Sequence, residues 1–67
     1  MHKILKVTAD NCVVYKDRLQ TERSAKIVLE EIKKHHLSVG HNVYYGGDGL
    51  VITTKKDVCI AQYLVVQ

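Results

Sequence analysis

A single stretch of this chain has a helical period, and it limits what the rest can do. Ala25, Val28, Leu29 and Ile32 recur at the i, i+3, i+4, i+7 spacing that lines one face of an α-helix. Thr21 stands where an N-cap belongs, and Glu22 follows in the first turn, where the macrodipole favours a negative charge. Arg23, Lys26, Glu30, Lys33 and Lys34 fall on the opposite face, and Glu30 with Lys34 has the order that favours an i,i+4 pair. Lys33, Lys34, His35 and His36 crowd the last turn, with Gly40 beyond as a stop. The spacing predicts one amphipathic helix over about residues 21–36. A lone helix is stabilised mainly by burying its apolar stripe, and the remaining segments offer only strands to bury it on.

Those segments are short and apolar. Lys3 to Thr8 and Cys12 to Tyr15 flank Ala9-Asp10-Asn11, whose Asp and Asn suit a tight connection, so a β-hairpin is expected. After the helix come Asn42 to Tyr45, Leu50 to Thr54 and Val58 to Val66, separated by Gly46-Gly47-Asp48-Gly49 and Lys55-Lys56-Asp57, both of hairpin length and composition. The expected fold is α+β, a small antiparallel sheet with one amphipathic helix packed on one face, in the order β-β-α-β-β-β. With no proline, repeat, low-complexity segment or linker, residues 1–67 read as a single compact domain. Tyrosine is the only aromatic type, so the core falls to Val, Ile and Leu, which favours strands.

The segment Val58 to Gln67 breaks the pattern of a half-buried strand. Val58, Ile60, Leu64 and Val66 share one parity, and Cys59, Ala61, Tyr63 and Val65 share the other, so both faces are apolar. One four-turn helix covers one face of a sheet. The other face is expected to curl onto itself, dimerise or dock on another protein.

Recognisable chemistry is scarce. A phosphate-binding loop opens a helix and carries Gly-Lys-Ser/Thr, whereas Gly49 is followed by Leu50 and a strand pattern. Gly46-Gly47-Asp48 resembles the start of the Gly-Gly-Asp/Glu-Glu-Phe signature of diguanylate cyclases, but Gly49-Leu50 replaces its Glu-Phe and the chain is far shorter than such a domain. A glycine hairpin that admits positive φ accounts for the stretch. His35 and His36 are neighbours roughly 100° apart on the helix and cannot chelate one ion together. Cys12 and Cys59 lack the Cys-x-x-Cys spacing of structural zinc sites and read as reduced, buried, small hydrophobes. A metal site would have to be gathered from distant Cys12, Cys59, His36 and His41. No spacing supports Cys12, Cys59, Ser24 or Ser38 as an activated nucleophile. No metal, no cofactor and no enzymatic activity are expected.

What remains is binding. A net charge of +3 would favour an acidic partner without requiring one. No run approaches the roughly 20 apolar residues of a membrane span and the first residues lack a signal-peptide pattern, so a cytoplasmic location and no membrane partner are expected. The expected function is a small protein-binding module, accessory or inhibitory, of the kind a phage or mobile element encodes, acting by steric occlusion of a partner protein with an acidic surface. Tyr44, Tyr45, Tyr63 and Val65 would anchor it, with Lys55 and Lys56 steering at the rim. Homodimerisation through the last strand or the uncovered sheet face is an outcome the same pattern allows. The alternative is a nucleic-acid-binding module in which Arg23, Lys26, Lys33, Lys34, Lys55 and Lys56 meet phosphates beside exposed tyrosines.

Overall fold

Thr21 opens the helix as anticipated. In the computed structural model, which describes residues 1–67, it is extended at φ −130°, ψ 158°, and its Oγ1 accepts the Ser24 N–H at 3.1 Å. The elements are β1 (His2–Val7), β2 (Cys12–Leu19), α1 (Glu22–Ser38), β3 (Asn42–Gly46), β4 (Gly49–Thr53) and β5 (Cys59–Val66). The helix runs past His36 because the Val39 N–H still finds the His35 and Leu37 carbonyls. All five strands form one antiparallel sheet in the order β2-β1-β5-β4-β3, with α1 against one face. The small α+β architecture is therefore the one the sequence implied.

β2 outruns its apolar pattern. It continues from Tyr15 through Lys16, Asp17 and Arg18 to Leu19, and its pairing with β1 shifts register twice on the way. Arg18 is left-handed at φ +58°, a conformation uncommon outside glycine, and its N–H is held by the Asp17 carboxylate at 2.7 Å. Alternation counted from Val13 and Val14 cannot survive two inserted residues, which hid this half of the strand.

β5 lies in the middle of the sheet, between β1 and β4. That position explains its two apolar faces. Ala61 and Tyr63 are buried, Val65 packs against the same core, and Leu64 and Val66 turn to the opposite side. It also removes β5 as an edge for another chain, because both its ladders are occupied. The core is completed by Ile4, Leu19, Leu50 and Ile52 from the sheet and Ala25, Leu29 and Ile32 from the helix. Cys12 and Cys59 do not join it: both thiols are free and exposed, which corrects their reading as buried hydrophobes. Cys12 is on the border strand, and Cys59 is at the start of β5, where the ladder to β4 slips by a residue.

The β3–β4 hairpin turns through Gly47-Asp48. Gly47 has φ +55° while Asp48 stays at negative φ, the pattern of a type II′ turn with glycine first. Gly49 serves a different purpose. A Cβ built there would lie 1.8 Å from the carbonyl oxygen of Tyr63, so β5 can approach β4 this closely only past a hydrogen atom.

Candidate functional site

The ladder registers fix which side chains share the sheet face that carries no helix. Leu5 is paired with Val14 on one side and Leu64 on the other. Val7 sits between Cys12 and Gln62, and Val51 between Gln62 and Tyr44. Lys3 is paired with Val66 and is the charged side chain of this register. Leu5, Val7, Val51, Leu64 and Val66 are half-buried by one another, while Val14 and Tyr44 remain 51% and 49% exposed. Val14, Leu5 and Leu64 thus form one apolar row that ends at Gly49, and Val51 and Tyr44 continue it to the other border by a diagonal step past Gln62, on the face opposite the helix. The sequence carried a sign of this in Leu50-Val51-Ile52 and Ile4-Leu5, apolar on both parities as in β5, but without pairing there was no way to join them into one surface.

The anchors read from the sequence do not form one surface. Tyr44 is on the uncovered face. Tyr45 is on the helix side, where its hydroxyl donates to the Glu30 carboxylate and Lys33 Nζ stands 5.1 Å from its ring centre. Tyr63 is 3% exposed beneath the helix, and Val65 is partly buried against the core, so neither presents itself to a partner. Lys55 and Lys56 occupy the β4–β5 turn, with Lys55 reaching toward Gly40. Of the helix cations, Lys26 is 3.8 Å from Glu22 and Lys33 lies over Tyr45, while Arg23 and Lys34 stand exposed at opposite ends of the helix. These four are strung along α1, and Lys55 and Lys56 belong to a separate element.

The structure does bring together two of the dispersed histidines. His36 Nδ1 and His41 Nδ1 are 3.0 Å apart, and the ring centres are 5.3 Å apart, about the nitrogen separation plus two ring radii. The nitrogens therefore meet head-on and share one proton as N–H···N, whereas two ligands of one ion would aim their lone pairs at a third point. On its other side His36 Nε2 is 3.3 Å from the Tyr63 hydroxyl, and Tyr15 meets the Tyr63 ring edge-on at 5.2 Å. His35 meets His36 edge-on, and Glu31, Val28 and Ile32 complete a pocket of about 270 Å³ over this seam. Burial lowers the His36 pKa, with the charges of His41, His35 and Lys6 acting in the same direction. Burial likewise raises that of Tyr63, helped by Tyr15. His36 is thus held neutral where an exposed histidine would begin to charge. The pairing was missed in the sequence because five residues separate its partners around a helix end.

A second depression, about 840 Å³ and open to solvent, lies between the first half of α1 and the β3–β4 hairpin, with Ala25, Leu29 and Val65 as its floor and Glu22, Glu30 and Asp48 on its rim. Neither thiol faces a base: Cys59 Sγ contacts the Ala61 carbonyl at 3.9 Å, and Cys12 makes no side-chain hydrogen bond. No helix is long and apolar enough to cross a membrane. No protein-family model, curated protein or solved structure matches the chain.

Proposed function

We propose that the protein works by binding another protein through the sheet face that α1 leaves uncovered, and that it acts as an accessory or inhibitory module by occluding what it covers. The observation that carries this reading is the apolar path through Val14, Leu5 and Leu64, which are paired directly, and on to Val51 and Tyr44 by one diagonal step. Contiguous apolar surface of this kind on a charged protein marks interaction sites. Lys3 lies within that face and is positive, and the turn at its end carries Lys55 and Lys56 with Asp57, a net positive charge, so the matching partner has an apolar centre and an acidic border. Tyr44 is the one anchor retained from the sequence, replacing the quartet in which Tyr63 and Val65 are covered.

The test is capture from a lysate of the encoding organism, with nuclease, by the wild-type protein, by Val51→Glu on the open face and by Ile27→Glu on the exposed side of the helix. A nuclease-resistant protein retained by wild type and Ile27→Glu and lost with Val51→Glu supports the reading. Equal retention by both variants, or retention of nucleic acid with a steep salt dependence, overturns it.

A further inference from the structure

We infer that β3 is a self-pairing edge and that two copies of this chain join β3 to β3 about a two-fold axis at Tyr44. The Val65 N–H bonds the Asp48 carbonyl at 3.1 Å, so the even-numbered positions at this end of β4 face β5. By the alternation of an antiparallel ladder, Gly49, Val51 and Thr53 then bond Gly46, Tyr44 and Asn42 of β3. Val43 and Tyr45 are left with their N–H and C=O groups pointing out of the sheet. β3 is a border strand, and the backbones of Val43 and Tyr45 appear in none of the hydrogen bonds made outside the helix and ladders.

These free groups lie symmetrically on either side of Tyr44. An antiparallel second copy with Tyr44 opposite its own Tyr44 sets Val43 against Tyr45 in both directions, and every outward N–H and C=O of the two residues finds a partner. A slip by two residues leaves some of them unpaired. The side chains fit the same register: Tyr44 meets Tyr44 as a close, non-hydrogen-bonded pair, and Val43 meets Tyr45, an aromatic against a β-branched residue. β3 holds no charged side chain, so the +3 of each copy is not concentrated at the join. The other border cannot extend the assembly, because β2 is shifted twice in register and carries Lys16, Asp17 and Arg18. Pairing therefore closes at a dimer and does not grow into a fibre. The product is one continuous sheet in which the uncovered faces of both copies merge.

A strand of this length buries well below the roughly 1,200 Å² of a standard stable interface, so the association is weak, with a Kd of roughly micromolar to submillimolar. Sedimentation equilibrium over that range tests it with three variants. Val43→Pro removes an outward N–H without breaking the β4 ladder, and proline is tolerated on a border strand in that position. Tyr44→Lys sets like charges opposite each other at the axis. Val51→Glu alters the open face one strand in from the join, beside Tyr44, and changes no outward N–H or C=O of β3. We expect the wild type and Val51→Glu to dimerise, and Val43→Pro and Tyr44→Lys each to weaken dimerisation at least tenfold. Amide exchange gives a readout independent of variant folding: Val43 and Tyr45 should exchange fast in dilute wild-type protein and slow in concentrated protein, with Tyr44 protected in both. A monomer throughout the range, or a dimer lost with Val51→Glu and kept with Val43→Pro, overturns the inference. The latter result would make the open face the self-contact and leave partner capture by that face to be judged by its own test.

Discussion

At one border of the sheet, β2 carries Lys16, Asp17 and Arg18 and two shifts of register; at the other, β3 runs Asn42-Val43-Tyr44-Tyr45-Gly46 with neither charge nor shift. β2 exposes seven of its eight residues and is the longer strand, yet its kinked, charged outer half is a poor template for another chain. β3 is short and regular. The flanks of the helix repeat the contrast. Toward β2 it is fastened by Tyr15, Tyr63 and His36, groups that include a histidine whose charge is suppressed. Toward β3 it is fastened by Tyr45 against Glu30 and Lys33, exposed and charged. One border of the sheet is charged and irregular, and the other is uncharged and regular.

The most severe way to break this comparison is Gly49→Ala. The added carbon meets the Tyr63 carbonyl at 1.8 Å, so β4 and the β3 it carries must move off β5. A loss of about 3–5 kcal/mol is expected, a large part of the stability of a domain this size, read by urea unfolding. The same substitution at Gly46, where the nearest atom is a side-chain carbon of Val51 at 3.5 Å, should cost far less.

The titratable seam sharpens it next. His36 has a lowered pKa in the folded state, so below its ordinary value of 6.5 the unfolded chain binds a proton that the folded chain refuses. Stability from this group is complete above pH 6.5 and drains away as pH falls through the window down to the folded pKa, at no more than about 1.4 kcal/mol per pH unit for one proton. His36→Gln should flatten this limb in urea midpoints measured from pH 8 to pH 5. Tyr63 has the opposite sign: its raised pKa makes stability complete below pH 10 and lost as pH rises beyond it.

At the guarded border, Arg18→Gly relieves a left-handed residue and should raise stability by about 1 kcal/mol, since a non-glycine residue there costs roughly that much. Combined with Lys16→Thr it also leaves Asp17 as the one charged residue of β2. The double variant should be at least as stable to urea as the Arg18→Gly single variant, yet scatter more light on concentration, which would separate the solubility role of those residues from any role in folding. The smallest effect belongs to the open flank, where Tyr45→Phe removes one exposed hydrogen bond to Glu30 and should cost about 0.5–1 kcal/mol.

The sequence displayed the helix and the hairpins because their signals are local: a cap at Thr21, a stripe at Ala25, Leu29 and Ile32, glycines at 46, 47 and 49. Strand order was not legible, since nothing in Val58 to Val66 says that the last strand inserts between the first and the fourth. Without that order Tyr63 looked like an exposed anchor, although the same two-sided apolar pattern that drew attention to β5 is what a central strand requires. The candidate site suffered most, because it is a set of cross-strand neighbours. Leu5, Val51 and Leu64 are unremarkable one by one and become a surface only when the ladders set them side by side.

The central place of β5 bears on how the chain reaches its native state. The β1–β2, β3–β4 and β4–β5 ladders are hairpins that each close over a few residues, and β5 is the strand that joins the meander β3–β4–β5 to β1. Its pairing with β1 joins Val7 to Gln62 and Lys3 to Val66, almost the full length of the chain. Such distant closure is entropically dear and slow compared with a local turn. The β1–β2 hairpin and the β3–β4–β5 meander must therefore meet along one distant seam, and the refolding rate should answer to substitutions along Ile4, Leu5 and Leu64, which form that seam, more than to changes in the local turns.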